Sequence, residues 1–106
     1  MLPTTNRLPA SMFSTVFRTG KRIHTPEMTL IIVKTKEPIS RFGFVISKKT
    51  AKRAVDRNRI KRILRESIHH LLPTIPTGLD YMFIAKQNFA EKHTADIEQE
   101  IKNLLK

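Results

Sequence analysis

The chain has 106 residues, and its 20 Lys and Arg outweigh 9 Asp and Glu to give a formal net charge of +11. That length suits one domain burying roughly two-thirds of the surface its unfolded form exposes, and 40% hydrophobic residues argue against wholesale disorder. The lack of cysteine excludes disulfides, thiol catalysis and thiolate metal sites; no apolar run approaches the ~18 residues of a membrane span, and the first residues lack the apolar block of a secretory signal, so the cytoplasm is the expected compartment.

Residues 1–8 show no hydrophobic period and read as a flexible basic arm, ahead of a single domain over 9–106. Pro9 suits a first helical turn and Gly20 the position just past the end, which predicts a helix from about Pro9 to Thr19. Met12, Phe13, Val16 and Phe17 form its apolar stripe. Strands are predicted over Lys21–Thr25, Met28–Lys34 and Arg41–Ser47. In the third, Phe42, Phe44 and Ile46 face one way and Arg41, Gly43, Val45 and Ser47 the other, with the Gly43 side open to close approach.

The period then changes from two to 3.6. Ile60, Ile63, Leu64, Ile68 and Leu71 share one side of a helix that Pro73 ends, and Pro76 and Gly78 supply the return turn. Asp80–Lys86 reads as a fourth strand. Thr94 is the expected N-cap of a last helix, with Asp96 and Glu98 in its first turn and Ile97, Ile101, Leu104 and Leu105 at helical spacing. The resulting order is α-β-β-β-α-β-α, an α+β chain.

The positive charge is concentrated. Lys48, Lys49, Lys52, Arg53, Arg57, Arg59, Lys61, Arg62 and Arg65 stand against the single acid Asp56, whereas the chain from Asp80 onward is nearly neutral. Arginine presents a planar fork of donors that fits phosphate oxygens and lysine a point charge, so this segment points to a polyanion. At 100° per residue, Arg57, Asn58, Lys61, Arg62 and Arg65 lie roughly opposite the apolar stripe.

Independent catalysis finds little support. His69 and His70 are adjacent and lie about 100° apart on a helix, unlike a chelating i,i+4 pair. Asp56 and Glu66 are too far apart to hold paired metal ions and are expected to pair locally with arginine. Gly20, Gly43 and Gly78 form no phosphate-loop fingerprint. An i,i+4 aromatic pair such as Phe13 and Phe17 is more often core than ligand platform. Met12 and Val16 can nevertheless supply the sheet contact and leave the rings at a groove edge, where base stacking contributes about 1–3 kcal/mol per base.

Ile46-Ser47-Lys48-Lys49, a seven-residue spacer, Arg57-Asn58-Arg59-Ile60-Lys61-Arg62 and Arg65-Glu66 closely resemble the signature of the protein component of bacterial ribonuclease P. Phe13-x-x-Val16-Phe17-x-x-Gly20-Lys21, Phe42-Gly43, Asp80-Tyr81 and Ile84-Ala85-Lys86 extend the likeness over about residues 7–105. The resemblance implies helices packed on a four-stranded, mostly antiparallel sheet, with a left-handed β-α-β crossover that departs from the usual right-handed rule. It further implies an endoribonuclease subunit, inactive alone, that assists a catalytic RNA in removing the 5′ leader from precursor tRNA. Mg²⁺ is expected on the RNA, with no metal site on the protein, and the protein is expected to be monomeric in the holoenzyme.

The resemblance maps RNA-subunit binding onto Lys48, Lys49, Lys52, Arg53, Arg57, Asn58, Arg59, Lys61, Arg62 and Arg65, with Lys61 and Arg65 able to face the leader instead. It maps leader binding onto Phe13 and Phe17, and onto Ile31, which stands where the family often presents a tyrosine. Pro9 replaces the polar or basic residues usual at the start of the first helix. The alternative reading is a ribosomal or other structural RNA-binding protein with no part in cleavage.

Overall fold

Alternation along the strands decides which side of the sheet each residue serves, and two separate cores result. The computed structural model describes residues 6–105. Strands β1 (Lys21–His24), β2 (Met28–Lys34), β3 (Arg41–Val45) and β4 (Leu79–Ala85) form one sheet in the order β1-β2-β4-β3. The pairs β1/β2 and β2/β4 are antiparallel and β3/β4 is parallel, so the sheet is mixed and mostly antiparallel as expected. Helix α2 (Ala54–Leu71) is the crossover that joins the parallel pair.

On one face Leu30, Phe42, Tyr81 and Phe83 pack against Ile60, Leu64 and Ile68 of α2 and against Ile97 and Ile101 of α3 (Thr94–Leu104). The Phe42 and Tyr81 rings stack at 5.1 Å, and the Tyr81 hydroxyl donates to the Pro76 carbonyl oxygen at 3.0 Å. On the other face Ile31, Met82 and Gly43 share one row across β2, β4 and β3. Val16 of α1 (Phe13–Thr19) and Leu8 close over this side. At the start of the parallel pair, Arg41 holds the buried Asp80 carboxylate through two hydrogen bonds of 2.8 Å.

Small residues let α1 lie close to the sheet. A Cβ at Gly43 would lie 2.8 Å from Cε1 of Phe13, and one at Gly20 would collide with the Ile31 side chain. Gly20 has an extended backbone (φ −79°), so close approach and not a left-handed turn requires glycine there.

Four expectations need correction. Of the predicted 1–8 arm, residues 1–5 lie outside the described residues, but residues 6–8 belong to the fold. Asn6 donates to the Ser40 carbonyl oxygen at 2.7 Å, the Leu8 N–H donates to the Phe42 carbonyl oxygen at 2.8 Å, and the Leu8 side chain is buried. The free edge of β3 supplies the backbone partners that a period-free sequence does not reveal. Helix α1 is preceded by a 3-10 turn over Ala10–Met12, so the α-helical part begins at Phe13 and not Pro9. The third strand ends at Val45, because the chain turns back on itself as the Thr50 and Ala51 N–H groups donate to the Ser47 carbonyl oxygen. Thr94 is the first residue of α3 and makes no cap; extended His93 (ψ 141°) holds that position, and its carbonyl oxygen accepts from the Asp96 and Ile97 N–H groups.

Candidate RNA-binding surface

The apolar stripe of α2 is buried along its length at Ile60, Ile63, Leu64, Ile68 and Leu71, so the opposite side must meet solvent. There Asn58, Arg59 and Arg62 are exposed, as are Lys48, Lys49 and Lys52 in the loop leading into the helix. Arg57, Lys61 and Arg65, spaced i, i+4, i+8, are half-buried along one flank. The cations are thus ranked on one open side of a single rod.

Not every arginine of the ridge is equally free. Arg57 donates from Nη1 to the carbonyl oxygens of Ala51 and Lys52 at 3.0 and 2.9 Å, tying the lysine-bearing loop to the helix. Arg53 grips Asp56 at 3.0 Å, and Asp56 also accepts from Asn88. The Arg53 guanidinium, followed by the Asn88 amide, holds the Asp56 carboxyl below its usual range. Glu66, expected to pair with an arginine, is exposed and makes no ion pair among the described residues.

The groove lies on the α1 side of the β3 edge. Phe13 rests on Gly43 and lines two concavities at once. One, of about 180 Å³, brings Arg7 together with Lys61 and Arg65 beside Phe13, Gly43 and Phe44, with no acidic residue in its lining. The other, of about 290 Å³, is bounded by Phe13, Ser14, Phe17, Val45 and Met82. Phe17 is 50% exposed, the largest aromatic surface left open, and Arg22 of β1 sits over its ring at 4.3 Å from the centroid. Val16 therefore supplies the sheet contact and Phe17 stands at the groove edge, while Phe13 serves core and groove together.

Ile31 is corrected: it is fully buried beneath α1, in van der Waals company with Val16 and Met82, and cannot touch a leader. Arg7 is the groove residue that sequence reasoning missed, assigned there to the arm; its only signal was a basic residue next to an apolar one, too little to place. The His69 and His70 rings are exposed and 6.3 Å apart, and His70 Nδ1 lies 2.7 Å from Oε1 of Glu98 on α3, away from the groove. No cluster of three or more His, Asp or Glu capable of holding a metal ion exists among the described residues.

A solvated rank of cations beside an aromatic groove, on a sheet covered by helices, defines a small basic α+β protein built to bind RNA. The family description Ribonuclease P matches residues 2–106. Over 109 aligned residues the chain is 40% identical to the ribonuclease P protein component of Microcystis aeruginosa, covering 98% of this chain and 91% of that one. It is 38% identical over 96 residues to the corresponding protein of a Marinomonas species, covering 89% and 71% respectively. The solved structure of the RNase P protein from Thermotoga maritima superposes with a TM-score of 0.83 at 27% identity, covering 93% of this chain and 94% of that one. The chain belongs to the ribonuclease P protein family, the protein components of the ribonucleoprotein that removes the 5′ leader from precursor tRNA. The match decides against the alternative of a structural RNA-binding protein with no part in cleavage.

Proposed function

We propose that this protein holds two RNAs on one continuous surface, the catalytic RNA subunit along the α2 ridge and the single-stranded leader of precursor tRNA in the α1 groove. The observation that carries the reading is the shared wall between them: Lys61 and Arg65 belong to the ridge helix and also line the concavity floored by Phe13 and Gly43. The exposed Asn58, Arg59 and Arg62, with Lys48, Lys49 and Lys52, face the RNA subunit; Lys61 and Arg65 stand where leader and ridge meet. Arg53 and Arg57 add charge while holding the loop and helix start in place.

The bond is cut by the RNA, in whose fold the Mg²⁺ resides. The carboxylates nearest the ridge suit no metal: Asp56 is spent on Arg53 and Asn88, and Glu66 stands alone. The protein acts by screening phosphate repulsion between two polyanions and by restraining the leader, which raises the effective concentration of substrate at the catalytic RNA. It works as a monomer within the holoenzyme and in the cytoplasm; no helix among the described residues is long and apolar enough to cross a membrane.

A reconstitution tests the reading. Precursor tRNA is incubated at low Mg²⁺ with the protein, with a ribonuclease P RNA, and with both. Cleavage confined to the mixture is the expected result. Cleavage by the protein alone would move the catalytic centre onto the chain, and cleavage by the RNA unaffected by the protein would remove the assisting role.

A further inference from the structure

Resting on the reading that α2 holds the RNA subunit, we infer that the open end of the β1–β2 hairpin is a second anchor for that RNA. Arg18, Lys21, Lys34 and Lys36 form a phosphate-binding patch there, which takes a base-paired segment other than the one on the ridge. All four side chains are exposed, and none enters an ion pair among the described residues. Arg18 lies in the last turn of α1. Lys21 opens β1 opposite Ile32 of β2, so Lys34, two residues on, shares its face at about 7 Å along the strand. Lys36 follows just beyond the end of β2.

Charge on an edge strand also discourages pairing with another chain. That accounts for Lys21 on β1, but β2 is an inner strand, and Arg18 and Lys36 belong to no strand. Glu27, the one acid between Arg18 and Lys36 in the chain, sits at the closed end of the hairpin, where Lys92 Nζ lies 3.4 Å from its Oε1. The patch therefore keeps its charge for a partner.

Such a surface reads charge and not bases. From Arg18 to Lys36 the chain has no Phe, Tyr or Trp, so a single strand gains no stacking there. Base-paired RNA hides its bases and offers phosphates and sugars, which unpaired cations can use. The segment must differ from the one on the ridge, because α3 stands between the two surfaces. It meets α2 where His70 Nδ1 lies 2.7 Å from Glu98, and it meets the hairpin where the Thr25 hydroxyl donates to Glu100. With Asp96, Glu98 and Glu100 against Lys102, α3 is an acidic divider that repels a backbone running straight across. The RNA subunit thus grips the protein from two sides of α3.

The test exploits the absence of cysteine from the chain. Lys34→Cys and Arg62→Cys, each carrying an iron chelate that cuts nearby RNA backbone, are assembled with the RNA subunit and precursor tRNA. The two positions should cut different segments of the RNA subunit, and the segment cut from Lys34→Cys should be base-paired. In parallel, Lys21→Glu with Lys34→Glu should weaken RNA-subunit binding by about tenfold at 0.1 M salt and make the salt slope about two units shallower, with the advantage conferred by the leader unchanged within about twofold. Cuts from Lys34→Cys confined to the leader, to unpaired RNA or to the segment already cut from Arg62→Cys would overturn the second anchor. So would no cuts from Lys34→Cys while Arg62→Cys still cuts, which leaves the ridge reading standing. Cuts from neither position would bring down both.

Discussion

In the proposed function the ridge and the groove bind RNA by different physics. The ridge is a row of solvated cations on one side of α2, where Arg59 and Arg62 face open water and would each act through charge on phosphate, with the neutral amide of Asn58 beside them. The groove is assembled from α1, β3, β4 and residues 6–8, and depends on where Phe13 and Phe17 sit against Gly43 and Val45. A ridge of this kind is diffuse, tolerant of single losses and sensitive to salt. The groove is small, sensitive to a displaced ring and, with only Arg7, Lys61 and Arg65 lining its cationic concavity, less sensitive to salt than the ridge. On that reading, a chain of 106 residues serves two RNA ligands without two domains.

The largest effect that could break the contrast is ionic strength. With six to ten phosphates neutralised, affinity for the RNA subunit should fall by about three to five orders of magnitude between 50 and 200 mM salt. A filter-binding titration reads the slope directly, and a flat response would mean that the ridge is not the interface. Next in size is charge reversal on the ridge. Arg59→Glu with Arg62→Glu should weaken RNA-subunit binding by roughly fiftyfold or more at 0.1 M salt and make the salt slope about two units shallower, since each lost phosphate contact removes about 0.9. These two are chosen over Arg57 because Arg57 also holds the Ala51 and Lys52 carbonyl groups, so its loss would mix binding with loop structure.

The groove should respond to shape. Gly43→Val pushes a side chain into the space occupied by Phe13 and is expected to cost about 1–3 kcal/mol of stability through overpacking. Leader affinity should fall as the ring is displaced, with RNA-subunit affinity unchanged; thermal melting and binding to leader-bearing substrate measure the two effects. The smallest expected effect concerns pH. The Asp56 carboxyl lies below its usual range because Arg53 and then Asn88 hold its charged form, so its contribution is present above the unfolded-state pKa and lost as pH falls through the lower folded-state value. Asp56→Asn should flatten that part of the acid limb of a stability-pH curve, and an identical curve would mean that the contact is merely a surface pair.

What the sequence made legible follows the range of the interactions. The side of α2 that carries Asn58 and Arg62 could be read because the spacing of Ile60, Ile63, Leu64 and Ile68 is local and fixes which way the helix faces. The two faces of β3 could be read from alternation, and Gly43 marked the place where a ring now rests. The failures at Arg7 and Ile31 were non-local. Nothing near Arg7 announces the edge strand it joins or the distant Lys61 and Arg65 it meets. Ile31 alternates like any strand residue, and only the path of α1 over it settles that it is covered. The occupation of Arg57 by backbone carbonyl groups depends on how the preceding loop curls back, which residue types do not encode. Thr94 has the preferred chemistry of a cap, but the extended backbone occurs one residue earlier.

The central claim is that two neighbouring parts of one continuous surface, joined at Lys61 and Arg65, serve two RNAs through separable contacts. It is tested most directly by measuring, for the same set of proteins, affinity for the RNA subunit and the ratio of holoenzyme affinities for tRNA with and without its leader. Phe13→Ala with Phe17→Ala should erase the leader's advantage and leave RNA-subunit affinity within about twofold, while Arg59→Glu with Arg62→Glu should do the reverse. If both quantities fall together in both variants, the ridge and the groove are one undivided site and the account is wrong.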